Sequence, residues 1–140
     1  MAGANRKATR LGDPKFSYVD ARTIKDAEKL YVGEMISQDA TPEAIAASDT
    51  ASTTVLGVGT KEIDNTDDGL TVNDISTAIH LMDNSATNAV AKTDIGTVCY
   101  VEDACTVAVA AGPTNDIVAG VVVEVTSDGV FVDFDPAKKA

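Results

Sequence analysis

Between Thr97 and Phe134 the sequence passes through three short apolar runs separated by turn residues: Thr97-Val98-Cys99-Tyr100-Val101-Glu102, then Thr106-Val107-Ala108-Val109-Ala110, then Ile117 through Val125 returning as Val130 to Phe134. Short runs rich in β-branched residues and bounded by Asp, Ser and Gly read as strands. Their succession predicts a strand meander on which the rest of the chain is built. The last pair is the most legible. Asp128-Gly129 is a dipeptide favoured in two-residue type I′ turns, where both central residues need positive φ. That turn sets Val125 opposite Val132 and Val123 opposite Phe134. Four apolar side chains then share one face, and cross-strand pairs contribute roughly 0.2–1 kcal/mol each. The same register sets Glu124 opposite Asp133. Like charges so placed repel, so this face is solvated, or holds a partner or cation, or the loop is longer than two residues.

The upstream sequence extends the same pattern. Phe16-Ser17-Tyr18-Val19 reads as a first strand, and Leu30 to Ile36 as a strand interrupted at Gly33. Asp20 to Lys29 has partial helical spacing but reads equally as a charged loop between strands. Thr41-Pro42-Glu43 has the form of a helix start, with Thr41 as cap. Thr54 to Gly59 is a strand whose glycines point to a bulge or a close backbone approach. Asp64 to Gly69 is a turn. From Thr71 to Met82 the alternation places Ile75, Thr77, Ile79 and Leu81 on the core face and His80 on the other. Asp83 to Asn88 reads as a loop, and Ala91 to Gly96 as a short helical turn. Some eight short strands at near-regular spacing predict an all-β protein, a small antiparallel β-barrel or β-sandwich. One domain is the default for 140 residues. The organisation expected is an extended basic arm over residues 1–14, a single β-domain over 15–136 and a short tail over 137–140. With aromatic residues at 4% and no Trp, the core must come from Val, Ile, Leu and Ala.

Charge is distributed unevenly. Residues 1–30 hold seven Lys or Arg against four Asp or Glu, whereas residues 31–137 hold two against eighteen. A net charge of −11 argues against nucleic acid as a direct partner, because phosphate binding needs a basic footprint. The basic start on an acidic body reads as a docking arm laid on an acidic surface or as a solvated terminus. Arg6, Lys7, Arg10, Lys15 and Phe16 are the expected contact residues of such an arm. No apolar run is long enough to span a membrane, and the start of the chain lacks the apolar block of a Sec signal. Cys99 and Cys105 have no metal-ligand spacing around them. A tight hairpin turning at Asp103-Ala104 would set Cys99 opposite Ala108, so both thiols are expected reduced.

Candidate chemical sites fail one by one. His80 is the single histidine, no Gly-x-Ser-x-Gly elbow accompanies it, and it reads as a surface or interface residue. Asp64, Asp68 and Gly69 fall on three positions of a calcium loop, but Thr66 and Ile75 stand where Asp or Asn and the bidentate Glu are needed. Gly57-Val58-Gly59 lacks the third glycine of a dinucleotide fingerprint and precedes no helix. The pairs Asp67-Asp68, Glu102-Asp103 and Asp133-Asp135 follow from the abundance of acids. The residues therefore predict no catalysis, no cofactor and no metal.

A family likeness accompanies this reading. The series Asp83-Asn84-Ser85-Ala86-Thr87, Thr93 to Asp103, Thr106-Val107-Ala108, Ala119 to Val125 and Asp128 to Val132 resembles the head decoration, or capsid cement, proteins of tailed bacteriophages and their prophage relatives. Tyr31 to Ile36, Val55-Leu56-Gly57-Val58 and Asp64-Asn65-Thr66 fit the same pattern. The likeness covers about residues 30–134 and consists of strands and turns, with no active-site signature. Cys105 departs from it, standing where such hairpins usually carry a polar residue. The resemblance implies a structural protein made in the host cytoplasm and placed on the capsid exterior of the virion. Its implied partners are the major capsid protein, whose subunits it bridges, and further copies of itself in a homotrimer. A different class, a receptor- or glycan-binding β-module using Tyr18, Tyr31 or Tyr100, and a tail-tube protein are the competing readings.

Overall fold

β-Branched residues alternating with polar ones produce a chain of short strands. The computed structural model describes residues 21–67, 69–72 and 74–136. Phe16 and the arm residues Arg6, Lys7, Arg10 and Lys15 lie outside them, as does the expected first strand at 16–19. The described strands are β1 (Arg22–Thr23), β2 (Lys29–Leu30), β3 (Met35–Gln38), β4 (Ala44–Ala46), β5 (Thr54–Gly59), β6 (Ile63–Asp64) and β7 (Thr71–Val72). They continue with β8 (Ile75–Ser76), β9 (Ile79–Asn84), β10 (Val98–Val101), β11 (Thr106–Ala108), β12 (Val118–Thr126) and β13 (Gly129–Asp133). The protein is all-β.

Five strands close a barrel in the order β10-β11-β9-β13-β12. The expected meander is corrected here. β10–β11 and β12–β13 are hairpins, but β11 and β12 are not neighbours. β9 enters between them, parallel to β11 and antiparallel to β13. The barrel closes because β10 pairs with β12, with Val98 opposite Val121 and Cys99 opposite Gly120. Its interior is filled mainly by valines: Val101, Val107, Val122, Val130 and Val132 have at most 1% exposure, with Phe134 at 0% as the largest buried side chain.

A four-stranded sheet, β4-β3-β5-β8, lies against the barrel and separates two cores. Met35, Val55 and Val58 join the barrel core, whereas Ile36 joins Ile24, Leu30, Ala44, Val72 and Ile75 in a second cluster. Strict alternation would not send Val55 and Val58 to the same side. The β3–β5 register shifts between Ile36 and Ser37, leaving Leu56 as the extra residue, and this bulge resets the parity. The glycine expectation holds. A Cβ at Gly57 would meet the Ser76 carbonyl and sit 2.8 Å from Ile75 Cγ2.

Several local expectations are overturned. The Thr41-Pro42-Glu43 segment starts no helix. The Asp39 carboxylate instead accepts the Thr41 and Glu43 N–H groups at 2.9 and 2.8 Å, making an Asx-type turn into β4. Leu30 to Ile36 is two strands joined by a turn, with Gly33 at φ 84°. Asp83 and Asn84 belong to β9 rather than to a loop. Thr77 and Ala78 interrupt the strand expected over 71–82, and the parity changes there. Met82 (2% exposed) points inward, while Ile79 and Leu81 point out. The turn at 91–96 is helical as expected, a single 3-10 turn over Lys92–Asp94.

The final hairpin turns one residue earlier than the dipeptide rule implies. Thr126 pairs with Gly129 and Val125 with Val130, so Ser127 and Asp128 are the loop residues. A register shift between Val122 and Glu124 then turns both Val123 and Glu124 outward. Glu124 therefore stands opposite Phe131, not Asp133, and the expected acid pair dissolves. In the β10–β11 hairpin Tyr100, not Cys99, pairs with Ala108. Both cysteines are free thiols.

Candidate interaction surface

The outward row of β9 is Ile79, Leu81 and Asp83, all exposed. Leu81 pairs with Phe131, and Ile79 with Asp133, on the neighbouring β13. Beyond β13, Val121 pairs with Asp133, and the bulge presents Val123. Ile95 borders the same region, because the next residue, Gly96, donates its N–H to the Val122 carbonyl at 2.8 Å. Ile79 (50%), Leu81 (44%), Ile95 (42%) and Val123 (39%) are thus exposed aliphatics gathered along one side of the barrel. Contiguous apolar patches of a few hundred Å² mark interaction sites.

Farther round, β10 points Cys99 and Val101 inward and Val98 and Tyr100 outward. Val98, Tyr100, Val90 and Val109, with Asp94 and Thr97, line an open groove of about 390 Å³. Its polar members are already engaged. The Asp94 carboxylate accepts the Ala91 N–H at 2.8 Å, and the Thr97 hydroxyl donates to the Asp94 carbonyl at 2.6 Å. Lys92 reaches across to the β12–β13 hairpin, donating to Glu124 Oε1 at 3.0 Å and to the Val125 carbonyl at 2.8 Å. The Val125 N–H, and after it Lys92, hold the Glu124 carboxyl below its usual pKa.

The other sequence candidates serve the fold. His80 Nε2 lies 2.8 Å from Ser76 Oγ, and its ring packs at a tilt on Phe134 with centroids 6.1 Å apart. Half-burial lowers its pKa. The acidic clusters cap turns: Asp64 accepts the Thr66 N–H at 3.0 Å, Asp103 that of Cys105 at 2.9 Å and Asp133 that of Asp135 at 3.0 Å. Glu102 accepts the Ser85 hydroxyl at 2.7 Å. Among the described residues no three His, Cys, Asp or Glu side chains are grouped to hold a metal ion. A separate exposed site is the β2–β3 turn. Tyr31 (44% exposed) carries the Lys29 ammonium 5.1 Å from its ring centroid, beside Val32 at 64%.

The alternation in the sequence places Ile79 and Leu81 on the core face, which their exposure overturns, and it does not show the groove. Its available signal was the Thr77-Ala78 break, where two small residues interrupt the alternation. Comparison with protein-family models, with curated proteins and with solved structures finds no match.

Proposed function

We propose that this chain is a structural protein that binds the outer surface of a phage capsid and stabilises it by bridging major capsid subunits. The observation that supports this reading is the apolar outer side of the barrel, where Ile79, Leu81, Ile95 and Val123 stand exposed on a rigid closed sheet. Exposed aliphatics, here set among Asp83, Glu124 and Asp133, suit burial against another protein surface. The resemblance over about residues 30–134 supplies the identity of the surface bound. In this reading the barrel is the rigid body, and the basic residues Arg6, Lys7, Arg10 and Lys15, with Phe16, contact the capsid or a neighbouring copy. The test is binding of the purified chain to undecorated heads. Saturable occupancy at a fixed ratio to the major capsid protein is expected, with weaker occupancy after deletion of residues 1–14. Absence of binding overturns the proposal; unchanged occupancy after the deletion overturns the role of the arm.

A second reading, a glycan-binding module, draws on Tyr100, whose ring lines the groove beside Asp94 and Thr97. Glycan-array binding that disappears in Tyr100→Ala, together with no affinity for heads, would replace the first reading.

A further inference from the structure

We propose that the outer strip across β9, β13 and β12 takes a protein surface presenting an arginine or lysine side chain between apolar ones, and that Asp133 selects it. The proposal rests on the capsid reading above and states what the capsid must offer to this strip. The register sets the strip out in two rows. In one, Phe131 stands between Leu81 and Glu124; in the other, Asp133 stands between Ile79 and Val121. Directly opposed side chains on neighbouring strands have Cβ atoms about 4.5–5.5 Å apart. Asp133 is therefore flanked by Ile79 and Val121, with Phe131 two residues before it on the same face of β13. Toward the chain end, its Oδ1 accepts the Asp135 N–H at 3.0 Å. A carboxylate thus stands within the apolar field that the exposed Ile79 and Leu81 open on one side and the exposed Val123 on the other.

A wholly apolar partner would strand that carboxylate. Covering Ile79 and Val121 takes water from Asp133, whose Oδ2 receives no hydrogen bond from the described residues, and a charge buried without a partner is strongly unfavourable. An arginine or lysine on the facing surface meets it with a charge-assisted hydrogen bond. The other charges of the strip point the same way. Glu124 is already held by Lys92 at 3.0 Å and needs no further cation. Asp83 ends the β9 row exposed, with no ion pair among the described residues. Its carboxylate bears on the Cys105 thiol together with those of Glu34 and Asp103, so this end of the strip is negative. A second copy of the same strip would set Asp83 and Asp133 against carboxylates. Nucleic acid and anionic lipid are turned away on the same ground. What fits is a protein surface with aliphatic side chains around a base.

The test is co-sedimentation of the full chain with undecorated heads across a range of salt. Wild-type affinity is expected to fall as NaCl rises from about 50 to about 500 mM, since an ion pair at an interface rim is screened. Asp133→Asn keeps the acceptor for the Asp135 N–H and removes the charge. It is expected to bind at least about tenfold more weakly at low salt, with a shallower salt dependence. Asp133→Glu is expected to retain the wild-type salt dependence. Glu62→Gln removes one charge from the turn before β6, away from the strip, and is expected to bind as wild type does. If Asp133→Asn melts early, Ile79→Lys serves in its place: the position is exposed, and the new base pairs with Asp133 within the chain, so the same loss is expected. Absence of wild-type binding overturns the capsid reading and this proposal with it. Wild-type binding that Asp133→Asn and Ile79→Lys both match overturns this proposal alone. So does an equal loss in Glu62→Gln, which would make net charge the cause. Tighter binding by Asp133→Asn also overturns it, because the strip would then be covered by the chain's own basic residues before Asp20.

Discussion

The Asn65 side-chain amide donates to the Ile24 carbonyl at 3.0 Å from a residue with no solvent exposure. The same amide reaches the Lys25 carbonyl at 3.1 Å, and its oxygen accepts the Leu70 N–H at 2.9 Å. One side chain thus joins the segment after β1 to the turn before β7 and satisfies three backbone groups. Intramolecular hydrogen bonds contribute about 0.5–1.5 kcal/mol each, and buried groups left unpaired cost more. Asn65→Ala is expected to lower stability by about 2–4 kcal/mol, measured by urea unfolding with an unchanged m-value.

Ser37 makes the opposite case. It is also fully buried, yet its hydroxyl has no hydrogen-bond partner among the described residues. Removing an unsatisfied hydroxyl recovers its desolvation cost at the expense of a very small void. Ser37→Ala is expected to be neutral or stabilising by up to ~1 kcal/mol. A loss comparable to that of Asn65→Ala in the same unfolding experiment would contradict this.

Gly120 sits where β12 crosses close to β13. A Cβ there would meet the Asp133 carbonyl oxygen and lie 2.7 Å from Val132 Cγ1. Val132 is fully buried, so neither atom is a flexible end that can swing away. Gly120→Ala is expected to cost about 1–3 kcal/mol, the range for overpacking a tight interior. A melting temperature lowered by several degrees is the readout.

The strands themselves were legible because period-two alternation with β-branched residues survives in most of them. Register and neighbourhood were less so. The bulge at Leu56 has Gly57 beside it as a mark, whereas the one at Val123 shifts parity without any residue that marks it. The insertion of β9 between β11 and β13 is a pairing between segments distant in sequence, which no local pattern encodes. Exposed aliphatics posed the sharpest difficulty. Ile79 and Leu81 look the same in a sequence whether they fill a core or form an outer ridge, and the parity change at Thr77-Ala78 decides which. The work of acidic side chains as turn acceptors, as at Asp39 and Asp103, appears only with the backbone in place.

Acid sensitivity follows from such a turn. The Thr41 hydroxyl, with the Glu43 and Thr41 N–H groups, pushes the Asp39 pKa down from 3.8 to about 2. A carboxyl whose folded pKa is depressed stabilises the fold above its unfolded pKa and loses that contribution as pH falls through the folded value. The Asp39 contribution is therefore present above about pH 4 and lost toward about pH 2. Asp49, whose carboxylate accepts the Thr114 and Asn115 N–H groups, is shifted in the same direction. Asp39→Asn retains an acceptor oxygen but cannot titrate. Its melting temperature is expected to fall less steeply than wild type between pH 4 and pH 2, and parallel curves would remove Asp39 from the acid response.

Thiol reactivity gives the last prediction. Cys105 lies at the barrel edge, and its thiol donates to Glu34 Oε2 at 3.3 Å. Burial, with Glu34 after it, pushes the Cys105 pKa up to about 11. The thiolate is the nucleophile, so at pH 8 only about one thiol in a thousand is reactive at any moment. Cys99 is buried in the barrel core, with its Sγ 3.6 Å from the Gly120 carbonyl oxygen. Alkylation of the native protein by iodoacetamide at pH 8 is therefore expected to be far slower than that of the urea-unfolded chain. Glu34→Gln removes the negative charge beside Cys105 while keeping a side chain of the same size. It is expected to speed modification at Cys105 several-fold and leave Cys99 unchanged, read by mass spectrometry of the labelled peptides. Equal rates in the variant and the wild type would show that burial alone suppresses the thiol.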